Sequence, residues 1–182
     1  MKFVSSSDPD TLITMQNGSI IIGIIGPGEQ ASQKDCELAF ETGKIVASAH
    51  YIVLTGGRNC GVMEAALKGA KKAGGKTIGI LPGGDTAGIS RYVDIPIITG
   101  MGNARNIINV LTSKVVIAIG ESPGTLSEIA LALKEKKPVV ALNPTKEANI
   151  MFNRHSANHF IRMDKFEKEE FLTLLNTLVH ET

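Results

Sequence analysis

Repeatedly along the chain, a short run of β-branched and aliphatic residues stops at a glycine or proline and gives way to apolar residues spaced three and four apart. Residues 115–119, VVIAI, are apolar throughout and break at Gly120, as a strand buried on both faces does. From Leu126 the apolar positions are Leu126, Ile129, Ala130 and Leu133, a helix with one buried stripe and Glu128 off it. The same reading places strands over residues 19–25, 51–54, 77–81, 92–98 and 139–142. Helical stripes follow at Cys36, Ala39, Phe40, Gly43, Val46 and Ala47, then at Val62, Ala65, Ala66, Gly69 and Ala73. A third stripe runs through Ala104, Ile107, Ile108 and Leu111, with Val110 off it. Four apolar residues in the five from Ile107 to Leu111 predict a helix covered on two sides, one of them by a second subunit in a homodimer. Phe171, Leu174, Leu175 and Leu178 form a closing amphipathic helix whose solvated entry is residues 165–170. Residues 1–17 are polar and read as an arm. The alternation implies one α/β domain over residues 1–182, with a doubly wound parallel sheet and helices on both faces.

Composition narrows the function classes. A length of 182 residues suits one core, and 43% apolar residues with 19 glycines fit a glycine-looped α/β domain. A net charge of +1 gives no field that would draw nucleic acid or a membrane surface. No run of 18 apolar residues occurs, and the first ten residues lack the apolar stretch of a signal peptide, so the expected location is the cytoplasm. Cys36 and Cys60 make no CxxC pair. His155 and His159 stand four apart with neither helical context nor a third ligand, so no metal site is assigned.

In open parallel sheets ligands bind outside the carboxyl ends of the strands, where the glycine-rich loops IGPG, TGGRNCG and IGESPGT converge. The candidate ligand- and phosphate-binding positions are Gly26, Gly56, Gly57, Arg58, Gly61, Ser122, Gly124 and Thr125, with Met101 of the TGMGN loop. Gly26, Gly28 and Ala31 satisfy GxGxxA, but the second strand ends in Thr55, Gly56 and Gly57 with no carboxylate to hold a ribose, which argues against a dinucleotide. GGKT at residues 74–77 precedes a strand rather than a helix and is no phosphate loop. Cys60 has no visible His or Cys partner that would make it a nucleophile. In ESPGT, Gly124 permits close backbone approach and Thr125 offers a hydroxyl beside the unpaired amides of a helix start, an anion seat. Glu128 should project from the same end. Arg105 opens its helix against the dipole, by up to about 1 kcal/mol, and so asks for an anionic partner.

The segments TGGRNCGVMEAALKGAKKAGGKTIGILPGG, TGMGNARN and GESPGTLSEIALAL, in this order, resemble the Rossmann-like superfamily often labelled "possible lysine decarboxylase". It includes the LONELY GUY (LOG) phosphoribohydrolases and the molybdenum cofactor carrier proteins. TGMGNARN with LSEIALALK is closer to the carrier-like branch. The resemblance implies a small phosphorylated ligand, either molybdenum cofactor or a nucleotide, and no required cofactor. For LOG-type cleavage of the N-glycosidic bond of nucleoside monophosphates, it carries Gly124, Thr125 and Glu128 of the PGGxGTxxE loop and the loop arginine, Arg105. Glu128 and Arg105 would then be catalytic, the carboxylate stabilising an oxocarbenium-like sugar or activating water. Two family glycines are Glu121 and Ser122 here, and the family lysine is Asn106. Both changes weaken phosphate binding unless Glu121 points away. No lysine is marked for pyridoxal phosphate, so the decarboxylase label has no chemical support.

Overall fold

A computed structural model describes residues 20–156 and 158–180, so the arm expected over residues 1–17 lies outside the described residues. Seven strands form one parallel sheet: β1 (Ile21–Ile25), β2 (Ile52–Thr55), β3 (Thr77–Leu81), β4 (Ile95–Ile98), β5 (Val115–Ile119), β6 (Val139–Leu142) and β7 (Phe160–Met163). Their spatial order is β4-β3-β2-β1-β5-β6-β7, so the winding reverses between β1 and β5. The helices are α1 (Gln33–Ser48), α2 (Gly61–Lys72), α3 (Asn106–Thr112), α4 (Pro123–Lys134), α5 (Lys146–Ser156) and α6 (Lys168–His180), and a 3₁₀ turn, Gly102–Arg105, leads into α3.

Alternating side chains on the central strands feed two cores. Ile22, Ile24, Val53, Ile117 and Val140 face α1, α2 and α6 through Val46, Ala66, Phe171 and Leu175. Ile25, Val116, Ala118, Val139 and Ala141 face α3, α4 and α5 through Val110, Ile129 and Phe152. The expected doubly wound, Rossmann-like α/β fold is therefore present. No helix among the described residues is long and apolar enough to cross a membrane. On the first face α1 and α2 lie backbone to backbone. A Cβ at Gly43 would come within 2.1 Å of the Ala66 carbonyl oxygen, and one at Gly69 within 2.0 Å of that of Phe40.

Several elements depart from the pattern reading. β4 begins at Ile95 rather than residue 92, because residues 90–94 are taken up by a turn tied to β3. Thr77 Oγ1 donates to the Tyr92 carbonyl at 2.6 Å, and the Asp94 carboxylate accepts from Thr77 N at 3.0 Å and Lys71 Nζ at 2.8 Å. α5 and β7 were not expected from periodicity: α5 is mostly polar, and β7 is four residues with Arg162 among them. In α4 the buried positions are Thr125, Glu128, Ile129, Ala132 and Leu133. The stripe thus lies one residue off the expected phase, which exposes Ala130 and buries Glu128.

α3 departs most. Its buried positions are Asn106, Asn109 and Val110, whereas Ala104 and Leu111 are exposed and Ile107 and Ile108 are half-buried. Two asparagines occupy the inner face because their amides serve the neighbouring helix, and the aliphatics rotate outward. Leu111 shares its exposure with Ile95, Ile97, Ile98 and Met101, all on or near the edge strand β4. That apolar surface is open among the described residues and includes the outward side of α3.

Candidate functional site

Where the winding reverses, the carboxyl ends of β1 and β5 part, and a cleft of about 140 Å³ opens between the loops after β1, β2 and β5 and the start of α3. Of the sequence-predicted positions, Gly26, Gly56, Arg58, Arg105, Ser122, Gly124, Thr125 and Glu128 line it together. Gly57, Gly61 and Met101 do not. Gly57 and Gly61 adopt left-handed backbone (φ 74° and 56°) and are pressed against the chain itself: a Cβ would lie 2.9 Å from Gly79 Cα in the first case and 2.0 Å from the Gly28 carbonyl oxygen in the second. Met101 is exposed ahead of the 3₁₀ turn. Asn106, at the position of the family lysine, lines the cleft as well, together with Asn103 and Asn109, which were not expected there; Asn109 sits in an apolar run that carries no sequence signal of what it faces.

The cleft floor is polar and nearly dry. Glu128 keeps 6% of its surface and Asn109 1%. Asn109 Nδ2 donates to Glu128 Oε1 at 2.7 Å, and Arg105 Nη1 stands 3.5 Å from the same oxygen. Arg105 Nη1 also donates to Asn106 Oδ1 at 2.8 Å, and Asn106 Nδ2 donates to Ser127 Oγ at 3.1 Å. The anionic partner that Arg105 calls for is thus supplied by the protein. Gly56 makes the space for it: a Cβ there would be 2.5 Å from Arg105 Nη2 and 2.8 Å from Met63 Sδ. Burial pushes the Glu128 carboxyl above its ordinary range, against the Asn109 hydrogen bond and the Arg105 charge. Burial likewise pulls the Arg105 guanidinium below its usual value, with Glu128 opposing. Both directions mean that desolvation outweighs attraction across a 3.5 Å gap. Asn109 Oδ1 and Arg105 Nε are buried without hydrogen-bond partners among the described residues.

At the upper rim Ser122 caps α4: its Oγ accepts from Thr125 N at 3.2 Å and lies 2.9 Å from Thr125 Oγ1. Pro123 has no amide hydrogen, so Gly124 N is the amide of this turn still open to a ligand among the described residues. The space above Gly124 is clear, since a Cβ there would meet only Ser122 Oγ at 3.7 Å. Glu121 points away from the seat; its Oε1 accepts from Thr145 N at 2.9 Å at the entrance to α5. Arg58 Nη2 is paired with Glu29 Oε1 at 3.0 Å, an exposed and exchangeable contact. Burial raises the Cys60 thiol above its ordinary pKa, against the pull of Arg58, and keeps it protonated. His155 lies in the last turn of α5 and His159 beyond its end, and no group of three His, Cys, Asp or Glu among the described residues is placed to hold a metal ion.

A parallel sheet with a polar cleft at its reversal point and a helix start at its rim defines a Rossmann-like domain. Residues 19–170 match the model of the SLOG cluster4 family, to which the chain belongs. An uncharacterized protein of Archaeoglobus fulgidus is 43% identical over 123 residues, covering 68% of this chain and 80% of that one. Among solved structures, the molybdenum cofactor binding protein of the phototrophic bacterium Rippkaea orientalis is 49% identical with a TM-score of 0.84, covering 88% of this chain and 98% of that one. The Moco carrier protein of Chlamydomonas reinhardtii is 45% identical with a TM-score of 0.83, covering 90% and 99%.

Proposed function

We propose that the protein binds molybdenum cofactor, or a closely similar phosphorylated pterin, in the cleft and retains it without turnover. The observation that carries this reading is likeness over 88% and 90% of the chain, at 49% and 45% identity, to proteins described as binding or carrying that cofactor. The cleft residues fit the phosphate end of such a group. The Gly124 amide and the Ser122 and Thr125 hydroxyls form the seat, and Arg58 exchanges Glu29 for the ligand's charge. The side-chain amides of Asn103 and Asn106 supply polar contacts to the heterocycle. At about 140 Å³ the cleft is smaller than a typical small-molecule pocket, so the ligand's far end lies across the rim. When bound, the cofactor would supply a metal-dithiolene centre for transfer to an enzyme; this chain's residues only bind and shield it.

The LOG-type hydrolase is the second reading, and Glu128 favours it: a carboxylate in the cleft, with Oε2 free of hydrogen bonds among the described residues, is suited to meet a cationic sugar. In both readings the Ser122 hydroxyl holds the Thr125 amide, so the open backbone amide of the seat is that of Gly124. Whichever ligand the cleft holds, we infer a homodimer formed through the apolar surface of β4 and α3. Mass spectrometry of small molecules released from the native protein tests the main reading, with a phosphorylated pterin or its oxidation product expected. Chromatographic detection of adenine released from AMP, abolished by Glu128→Gln, would replace it with the hydrolase.

A further inference from the structure

At the opposite end of the sheet, near the amino ends of β6 and β7, the carboxyl termini of α4 and α5 flank an open groove of about 460 Å³. Lys134, Lys136, Arg154, His155 and His159 converge on it, and no carboxylate lines it among the described residues. None of the three permanent cations forms an ion pair among these residues. The nearby Glu135 acts on Lys137, whose Nζ donates to the Leu111 carbonyl at 2.9 Å away from the groove. Cations in the last turn of a helix are ordinary, because they complement the dipole. That accounts for Lys134 and Arg154 singly, but not for Lys136 and His159, which lie outside the helices, nor for two helix ends sharing one groove.

We propose that this groove docks an acidic segment of a partner protein. The helix ends decide between a protein and a compact anion. At the end of α4 the amides of Glu135, Lys136 and Lys137 are spent on the carbonyls of Leu131, Leu133 and Ala132, so none of them is left to cradle a compact anion. The lysine and arginine stems extend outward from those ends and present their charge at the surface, where an extended run of Asp or Glu residues can meet several cations in succession. The groove lies across the sheet from the cleft, so a partner can sit on it while the cleft stays open, whatever ligand the cleft holds.

The test is a titration of the isotope-labelled full chain with a short poly-L-glutamate peptide, followed by amide chemical shifts. Expected are shifts confined to the ends of α4 and α5 and the start of β7, with affinity that falls as salt rises. In Lys134→Glu/Arg154→Glu the affinity should drop roughly tenfold or more. The neutral pair Lys134→Gln/Arg154→Gln should show an intermediate loss, which keeps the test open if the reversed pair folds poorly. Unchanged affinity in both variants, or shifts mapping to the cleft, would overturn the proposal. So would a single-stranded oligonucleotide or pyrophosphate binding the groove more tightly than the peptide.

Discussion

Consider Arg105→Met, which removes the guanidinium facing Glu128 and leaves the Asn109 hydrogen bond in place. The side chains of the pair are only 11% and 8% exposed, so solvent cannot take over the lost charge. Breaking a buried pair by removing one partner costs about 3–5 kcal/mol. The 3.5 Å separation and the surviving 2.7 Å bond from Asn109 place this case at the lower end, about 3 kcal/mol, or roughly 6–12 °C in Tm for a domain of this size. Glu128→Gln added to Arg105→Met deletes the stranded charge, while the Gln oxygen still accepts from Asn109. Most of the loss should then return, giving a coupling energy of about 2 kcal/mol in a double-mutant cycle read from urea midpoints. pH offers a second readout. A carboxyl whose pKa is higher in the folded than in the unfolded state binds more protons when folded, so acidification from the folded toward the unfolded pKa adds stability. Burial raises Glu128 already in the native protein, and loss of Arg105 raises it further. Arg105→Met should therefore gain on the double variant as pH falls through that window and lose the same ground as pH rises back through it, with no further change above it. A coupling below about 0.5 kcal/mol, or parallel pH curves, would refute the claim that these two groups compensate one another.

Gly56→Ala should displace Arg105 and weaken ligand retention at least as much as Arg105→Met, measured by the amount of small molecule copurifying with each variant. Glu121→Ala should lower stability by about 0.5–1.5 kcal/mol by freeing the Thr145 amide, and should leave the copurifying ligand unchanged because Glu121 faces away from the seat. Ile97→Lys combined with Leu111→Lys should shift the mass in light scattering from dimer to monomer; a dimer that persists would place the interface elsewhere.

The β1, β5 and β6 strands were legible because a run buried on both faces is apolar at every position, and each ends where a glycine or asparagine turn begins. The cleft was legible for a related reason: the loops after β1, β2 and β5 have to meet where the winding reverses. What periodicity could not supply was the phase of α3 and α4. An apolar stripe is read on the assumption that the buried face is apolar, and here that face carries Asn106, Asn109 and Glu128, which link the two helices through the Asn106–Ser127 and Asn109–Glu128 hydrogen bonds. Glu128 therefore looked like a surface residue, and Leu111 like a core one. α5 was missed because Lys146, Glu147, Asn149, Asn153 and Arg154 dilute its stripe, which depends on Ala148 and Phe152 packing beneath.

The contact of α1 with α2 at Gly43 and Gly69 has a mechanical consequence. Helices whose backbones touch cannot tilt or slide past each other without collision, so the loop carrying Gly56 and Arg58, which feeds α2, is anchored through α1 to the body of the sheet. The opposing side of the cleft stands on a 3₁₀ turn and the seven-residue α3, joined to α4 by the Asn106–Ser127 and Asn109–Glu128 bonds. This asymmetry predicts that a ligand entering or leaving the cleft displaces α3 rather than α2. Amide hydrogen exchange should accordingly be faster in α3 than in α2 and should slow in α3 alone when the cleft is filled.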